Sequence, residues 1–558
     1  MLFPARRLLL LLLGFLPLIA EGGEVLLEAP AAISDLLKPH LPEDGGGQLP
    51  TLAGEILATE GYFSPTIRSS DDGDPLRLII DPGPRTLIEQ VELVVDGPIA
   101  PTTRATLIAD WGLPVGQPFR QADWDQAKQQ LLARLLAEDH AAARLVDSLA
   151  EIDPAAASAR LNAHYAAGPR YRFGALRIEG LERYSPALIA RYNRSVESGA
   201  AYREEQLSAL QSTLQATPYF SSVSVQLDRE ALSGSGDVVD ADVLVRVRER
   251  AAHRLSFGAG ASSNTGARVE FNYHTPNLFN QAWTLDSGMR IEQKKQTIFS
   301  DVFLPPDEKN RRHSLGAMAE GTDIQGLKTD RYAVGVQSAR QRGSIEQRLA
   351  LQWQREYIRP SGGEKTSSVA LVPNIMWTWR EVDNVLDPHR GIVLQTQIGG
   401  AAKAVLSDQN FLRLYARYQH FIPLTRLDTL ILHGELGRTF ADSRDGIPQD
   451  YVFRTGGTGS VRGYPYQSLG VKNGNAIVGG RYLAVASAEA THWLNQQWGI
   501  AAFVDAGDAV DSLQDARLAL GYGLGARWRS PAGPLGFDLA YGQRIDQFQV
   551  HFSLAIPF

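Results

Sequence analysis

The residue types that most often carry catalysis are scattered in this chain. Its 11 histidines form no cluster. No serine or threonine sits on a strand-to-helix elbow, and Asp505 and Asp508 lie too close to a turn to build a metal cage. Gly521, Gly523 and Gly525 have the look of a phosphate cradle, but no βαβ unit surrounds them and a turn follows. With no cysteine at all, neither a disulfide framework nor a thiolate metal site is available. These absences point away from an enzyme. What remains is the run Gly456-Gly457-Thr458-Gly459-Ser460-Val461-Arg462-Gly463-Tyr464. Its glycines permit an unusual backbone. Taken alone, Arg462 would read as a solvated charge on a surface loop.

The elements that must position this run are strands. From about residue 251, segments of roughly ten alternating residues are separated by turn-rich stretches such as Pro305-Pro306-Asp307 and Asp442-Ser443-Arg444-Asp445-Gly446. The clearest strand is the last, where Phe548, Val550, Phe552, Leu554, Ile556 and Phe558 alternate with Gln549, His551 and Ser553. One face suits lipid and the other a wet lumen. The 308 residues from 251 to 558 suffice for ~16 antiparallel membrane strands with their connections. A soluble sandwich or a large lipocalin-like barrel is the competing all-β reading.

Before residue 250 the pattern is different. Gly83-Pro84-Arg85 precedes Val91, Leu93 and Val95, and Gly168-Pro169-Arg170 precedes Leu176 and Ile178 in the same relation. A third junction, Arg248-Glu249-Arg250, leads into Leu255 and Phe257. Between junctions each unit carries an amphipathic helix and then alternating strands. Leu207, Leu210 and Leu214 stripe a helix ahead of Val223, Val225 and Leu227 and then of Val243, Val245 and Val247. Trp124, Ala127, Leu131 and Leu135 stripe another, ahead of Leu161, Ala163 and Tyr165. The first copy matches least well: Leu52 and Ile56, then Leu76, Leu78 and Ile80, with a loop over 43–47. Residues 1–22 read as a secretory signal, with Arg6 and Arg7 ahead of a short apolar run broken by Gly14 and Pro17. The net charge of -7, from 55 Lys+Arg against 62 Asp+Glu, gives nucleic acid nothing to bind.

Three βααββ modules before a barrel resemble the Omp85 superfamily, and three modules is the count associated with its TamA branch. The resemblance covers nearly the whole chain after the signal and rests on four stretches. Trp379-Arg380-Glu381-Val382-Asp383-Asn384 with Asp387-Pro388-His389-Arg390-Gly391 is similar to a signature at the start of a family strand. Val461, Arg462, Gly463 and Tyr464 match the motif that the family carries at the tip of a loop folded into the lumen. Phe503-Val504-Asp505-Ala506-Gly507 and the run from Gly521 to Leu535 match two of its final strands. The family thereby implies Asp505, and a glutamate matched to Glu489, as acceptors for Arg462. Ala490 departs from the aromatic common after that glutamate.

The domains expected are signal 1–22, POTRA modules 23–86, 87–168 and 169–250, and an outer-membrane barrel 251–558, the modules standing in the periplasm. The resemblance implies insertion of unfolded outer-membrane protein clients such as autotransporters into the lipid of the outer membrane, without a cofactor, and work alongside a TamB-like inner-membrane-anchored protein. Clients would enter at a lateral seam where the first strand, weakened by Gly258 and Gly260, meets the last, which carries Phe552, Pro557 and the terminal Phe558. A two-partner-secretion-type pore and phospholipid transport are the rival functions.

Overall fold

The computed structural model describes residues 26–41, 48–70, 77–234, 236–530 and 533–557. The signal segment 1–22, the loop 43–47, Leu76 and Phe558 lie outside the described residues.

Three short sheets come first. β1 (Leu26–Glu28), α1 (Ala31–Leu37), α2 (Leu49–Thr59), β2 (Thr66–Ser70) and β3 (Arg77–Asp81) form a sheet of order β1-β3-β2, with Leu37, Ala53, Leu57, Leu78 and Ile80 in its core. β4 (Leu87–Asp96), α3 (Pro101–Ala109), α4 (Gln121–Ala137), β5 (Arg144–Asp153) and β6 (Ser158–Ala166) repeat that order as β4-β6-β5. Here the α4 stripe Trp124, Ala127, Leu131 and Leu135 belongs to one buried cluster with Leu161, Ala163 and Tyr165 of β6. The 3.6-residue period of the helix and the 2-residue period of the strand each present one apolar face, and the two faces cover each other. β7 (Arg170–Glu179), α5 (Pro186–Tyr192), α6 (Glu204–Gln215), β8 (Phe220–Ser233) and β9 (Val238–Glu249) make the third sheet, β7-β9-β8.

The chain divides into two compact units. One holds the described residues up to Arg177 with 195–211 and 225–245; the other holds 178–194, 212–224 and everything from Arg246 onward. Within the second unit, Glu249 accepts the backbone N–H groups of Glu182 (2.8 Å) and Arg183 (2.9 Å) and the Arg183 Nε–H (2.7 Å). Burial pushes its carboxyl upward, but these donors outweigh that and hold it below the ordinary glutamate value. The Tyr219 hydroxyl donates to the Ala282 carbonyl at 2.9 Å, and Arg194 donates to the carbonyls of Asp307 and Glu308, each at 2.9 Å.

The barrel of the second unit has sixteen antiparallel strands. The first eight are β10 (Arg254–Ser262), β11 (Gly266–Leu278), β12 (Trp283–Glu292), β13 (Lys295–Phe303), β14 (Arg311–Ile324), β15 (Leu327–Arg342), β16 (Ile345–Pro360) and β17 (Thr366–Val382). β18 (Gly391–Ala401), β19 (Phe411–Pro423) and β20 (Asp428–Phe440) follow, and then a long connection, 441–481, with the hairpin β21 (Val471–Asn473) and β22 (Ala476–Val478). The wall resumes with β23 (Tyr482–Trp493), β24 (Trp498–Val510), β25 (Ala519–Ser530), β26 (Gly533–Gly542) and β27 (Gln547–Pro557). Period-2 alternation sorts the two faces: Tyr332, Val334 and Val336 of β15 face out, 47–51% exposed, while Arg331 and Ala333, alternating with them, face in.

Closure joins β10 to β27 over Gly258↔Pro557, Ala259↔Ile556, Gly260↔Ala555, Ala261↔Leu554 and Ser262↔Ser553. By contrast β14 pairs with β15 along the whole of β14, from Arg311↔Arg340 to Ile324↔Leu327. Beyond the short register Ser263 adds a clamp, its N–H donating to the Phe552 carbonyl (3.0 Å) and its Oγ accepting the Phe552 N–H (3.1 Å).

Candidate functional site: the lumenal loop and its wall

The connection 441–481 packs against the inner faces of several strands. Its apolar part, Phe453, Val461, Tyr464 and Leu469, is buried with Leu483 and Val485 of β23, Ala509 of β24 and Ala519 of β25. The Tyr464 hydroxyl donates to the Leu520 carbonyl (3.0 Å) and accepts the Arg544 N–H (2.9 Å).

Next to this apolar plug lies Arg462, only 7% exposed. Its Nε and Nη2 donate to the two oxygens of Asp505 at 2.8 and 3.0 Å, and its backbone N–H reaches the same carboxylate at 3.0 Å. Nη1 donates to Glu489 at 2.6 Å. The guanidinium carbon stands 3.4 Å from the ring centroid of Phe503, adding a cation–π contact. Asp505 is fully buried and takes a further hydrogen bond from Ser487 Oγ at 2.6 Å. The geometry thus brings Asp505 and Glu489 to Arg462.

It also brings groups that the sequence reading did not name. Asp538 of β26 accepts from Arg462 Nη1 at 3.3 Å, and Arg527 of β25 donates to Glu489 (2.7 Å) and to Asp538 (2.5 Å). Two guanidiniums and three carboxylates therefore share one buried network, in which every acid has a basic partner. The available signal was alternation: Asp538 stands between outward Phe537 and Leu539, which forces its side chain to the lumen.

The backbone of the motif needs a wall without side chains. Gly521 and Gly542 are directly paired across β25 and β26. A Cβ on Gly521 would fall 1.8 Å from the Arg462 carbonyl oxygen, and one on Gly542 would fall 2.2 Å from that of Gly463. Of the three glycines that have the look of a phosphate cradle, Gly521 is thus, with Gly542, a seat for the loop, whereas Gly523 and Gly525 lie against Leu539, Phe503, Asp538 and Arg527 of the wall. Gly463 has φ +89°, a left-handed conformation that glycine adopts without strain.

Two further contacts reach the seam strands. The Gly463 N–H donates to His551 Nε2 of β27 at 2.8 Å. Thr458 and Asn264, which follows β10, exchange hydrogen bonds of 2.7 and 3.3 Å. On the opposite wall the Gln449 N–H donates to Glu356 of β16 (2.7 Å), and Asp450 pairs with Arg331 of β15. Of the seam residues named from the sequence, Gly258 and Gly260 lie in β10 opposite Pro557 and Ala555, and Phe552 lies in β27 opposite Phe537.

The Asp383 to Gly391 stretch is a turn between β17 and β18, as its Pro and Gly suggest. Asp383 Oδ1 accepts the N–H groups of Asn384, His389 and Arg390 at 2.9 to 3.1 Å. Burial pushes its carboxyl up, yet these donors hold it below the ordinary aspartate value. Asp387 of the same turn pairs with Arg529 of β25 at 2.7 Å.

Comparison with known proteins places this architecture. The Omp85 superfamily domain matches residues 251–558. Over 471 residues the chain is 24% identical to the outer membrane protein assembly factor BamA of Neisseria meningitidis serogroup B, covering 71% of this chain and 58% of that protein. Over 408 residues it is 24% identical to the BamA of Nitratidesulfovibrio vulgaris, covering 66% and 48%. The chain thus spans about half the length of the curated relatives it matches. The fold resembles the crystal structure of BamA from Haemophilus ducreyi lacking POTRA domains 1-3, with a TM-score of 0.73 at 17% identity, covering 85% of this chain and 100% of that one.

Proposed function

The chain belongs to the Omp85 superfamily, and on that premise we propose that it inserts β-barrel proteins into the outer membrane, its seam lending a strand edge to each client. It is an outer-membrane barrel with N-terminal modules in the periplasm. We read the modules as POTRA units at 23–86, 87–168 and 169–250, whose sheet edges would receive extended clients by β-augmentation.

The observation that carries this reading is the asymmetry of closure. The β10–β27 register runs over five residues a side, and the lumenal loop touches β27 through His551 and the turn that follows β10 through Asn264. A short edge held by a few removable bonds can open, and its unpaired backbone groups then template a new strand. Three modules favour a TamA-like member with a TamB-like partner and autotransporter clients. Phospholipid transport beside that partner is the alternative role.

The test uses the absence of native cysteine. Gly260→Cys with Ala555→Cys places thiols on directly opposed residues, at ~4.5–5.5 Å between Cα atoms. The oxidised barrel should stop assembling clients and resume on reduction. Normal assembly by a fully oxidised, folded barrel would remove the lateral seam from the mechanism.

A further inference from the structure

Two arginines face each other on the outside of the barrel. Arg311 opens β14, Arg340 lies near the end of β15, and the register sets them directly opposite. Both belong to the outward series, with Leu315 and His313 on one strand and Val336 and Ser338 on the other; Leu315 and Val336 are 49% and 51% exposed. Like charges directly opposed across a strand pair destabilise it unless something compensates them. Neither guanidinium has an acidic partner among the described residues. The adjacent Asp307 is occupied, accepting the N–H groups of Lys309 (2.9 Å) and Arg311 (2.8 Å) and pairing with His313 (3.2 Å).

The depth of this pair in the membrane follows from the strand order. β10 begins at the periplasmic side, so in an antiparallel barrel the β13–β14 turn and the starts of β14 and β16 lie at that side too. In the same tier of the register, Arg340 opposes Gln347 and Gln347 opposes Trp377, an outward tryptophan of β17 with outward Trp379 one step nearer the rim. Outward tryptophans mark the headgroup level of a membrane barrel.

Directly beside the arginines, toward the membrane centre, the wall has a dent of about 500 Å³. Leu304, Leu315, Val336, Leu349 and Leu351 line it, with His313 and Ser338 at its arginine end. Hydrocarbon is the medium on that side of the wall. An uncompensated cationic pair at headgroup depth and an apolar dent below it match the two ends of a single molecule.

We propose that the wall at β13–β16 binds one anionic glycerophospholipid of the periplasmic leaflet, its phosphate between Arg311 and Arg340 and one acyl chain in the dent. The phosphate accepts from both guanidiniums and relieves their repulsion, and Gln347 lies within the same tier as a further donor. This site stands on the opposed arginines and the dent, and holds whether or not the seam inserts clients.

The full-length protein in detergent micelles doped with phosphatidylglycerol, weighed intact by native mass spectrometry, tests it. The native chain should retain one phosphatidylglycerol after the loosely held lipid has been stripped. Arg311→Gln with Arg340→Gln should weaken retention on the order of thirtyfold, since each basic side chain near an anionic surface contributes roughly a fivefold gain. Arg311→Lys with Arg340→Lys should keep it. Ser338→Trp, which fills the dent, should expel the lipid with both arginines in place. Heat-modifiable gel migration shows that each variant is folded. Equal retention by the glutamine pair overturns the headgroup site, retention by Ser338→Trp overturns the acyl site, and full displacement by inorganic phosphate shows an anion site without lipid, which also overturns the proposal.

Discussion

Asp505 holds Arg462 three times over, taking Nε at 2.8 Å, Nη2 at 3.0 Å and the backbone N–H at 3.0 Å on one fully buried carboxylate. A bidentate pair fixes the side chain, and the third bond fixes the backbone that carries it. One acid thus anchors both the guanidinium and the path of the loop.

Arg462→Ala should therefore loosen the loop and weaken the barrel. Asp505 would lose its cation, Glu489 and Asp538 would be left with Arg527 alone, and breaking a buried network by removing one partner costs about 3–5 kcal/mol. Arg462→Lys should rescue little, because an ammonium cannot make the bidentate contact. Urea midpoints in micelles and heat-modifiable gel mobility report the loss. A double-mutant cycle of Arg462→Ala with Asp505→Asn should show coupling of about 0.5–3 kcal/mol; zero coupling would refute the pairing.

The glycine seat makes a steric prediction. Gly521→Ala places a methyl 1.8 Å from the Arg462 carbonyl oxygen, which is backbone and cannot rotate away. The loop must lift, at about 1–3 kcal/mol or more, and protease should reach 456–464. Gly459→Ala is the control, since its Cβ would meet nothing within 4 Å. Equal protection of the two variants would mean that the loop does not depend on the seat.

Glu249 gives a dependence on pH. Its folded carboxyl lies below the ordinary glutamate value, so the bonds it accepts stabilise the fold fully above the unfolded value of about 4.3, and that contribution is lost as pH falls through the lower folded value. Amide exchange at Glu182 and Arg183, corrected for the intrinsic rate, should stay protected at neutral pH and open in acid. Glu249→Gln should expose both amides already at neutral pH, and protection that ignores the substitution would rule out the carboxylate as their anchor.

The sequence by itself determined the barrel and its helix-bearing modules. Period-2 alternation from Leu255 to Ile556 leaves one face for lipid and one for the lumen, and a chain whose strands face lipid must close, because open edges cannot be satisfied there. Sixteen strands and N-terminal α/β modules are what the structure contains. Alternation also says that Asp538 points inward, but not what it meets.

Its meeting with Arg462 and Arg527 was decided by tertiary structure. Residues 462, 489, 505, 527 and 538 come together only when a long loop folds back and four strands take up one register. The same holds for Gly521 opposite Gly542, and for Arg311 opposite Arg340 on the outer wall. A shift of one residue between two strands would separate each pair and turn one of its members to the other face. Local pattern fixes which way a side chain points, whereas strand register and loop path, set by the closed ladder, fix its neighbours.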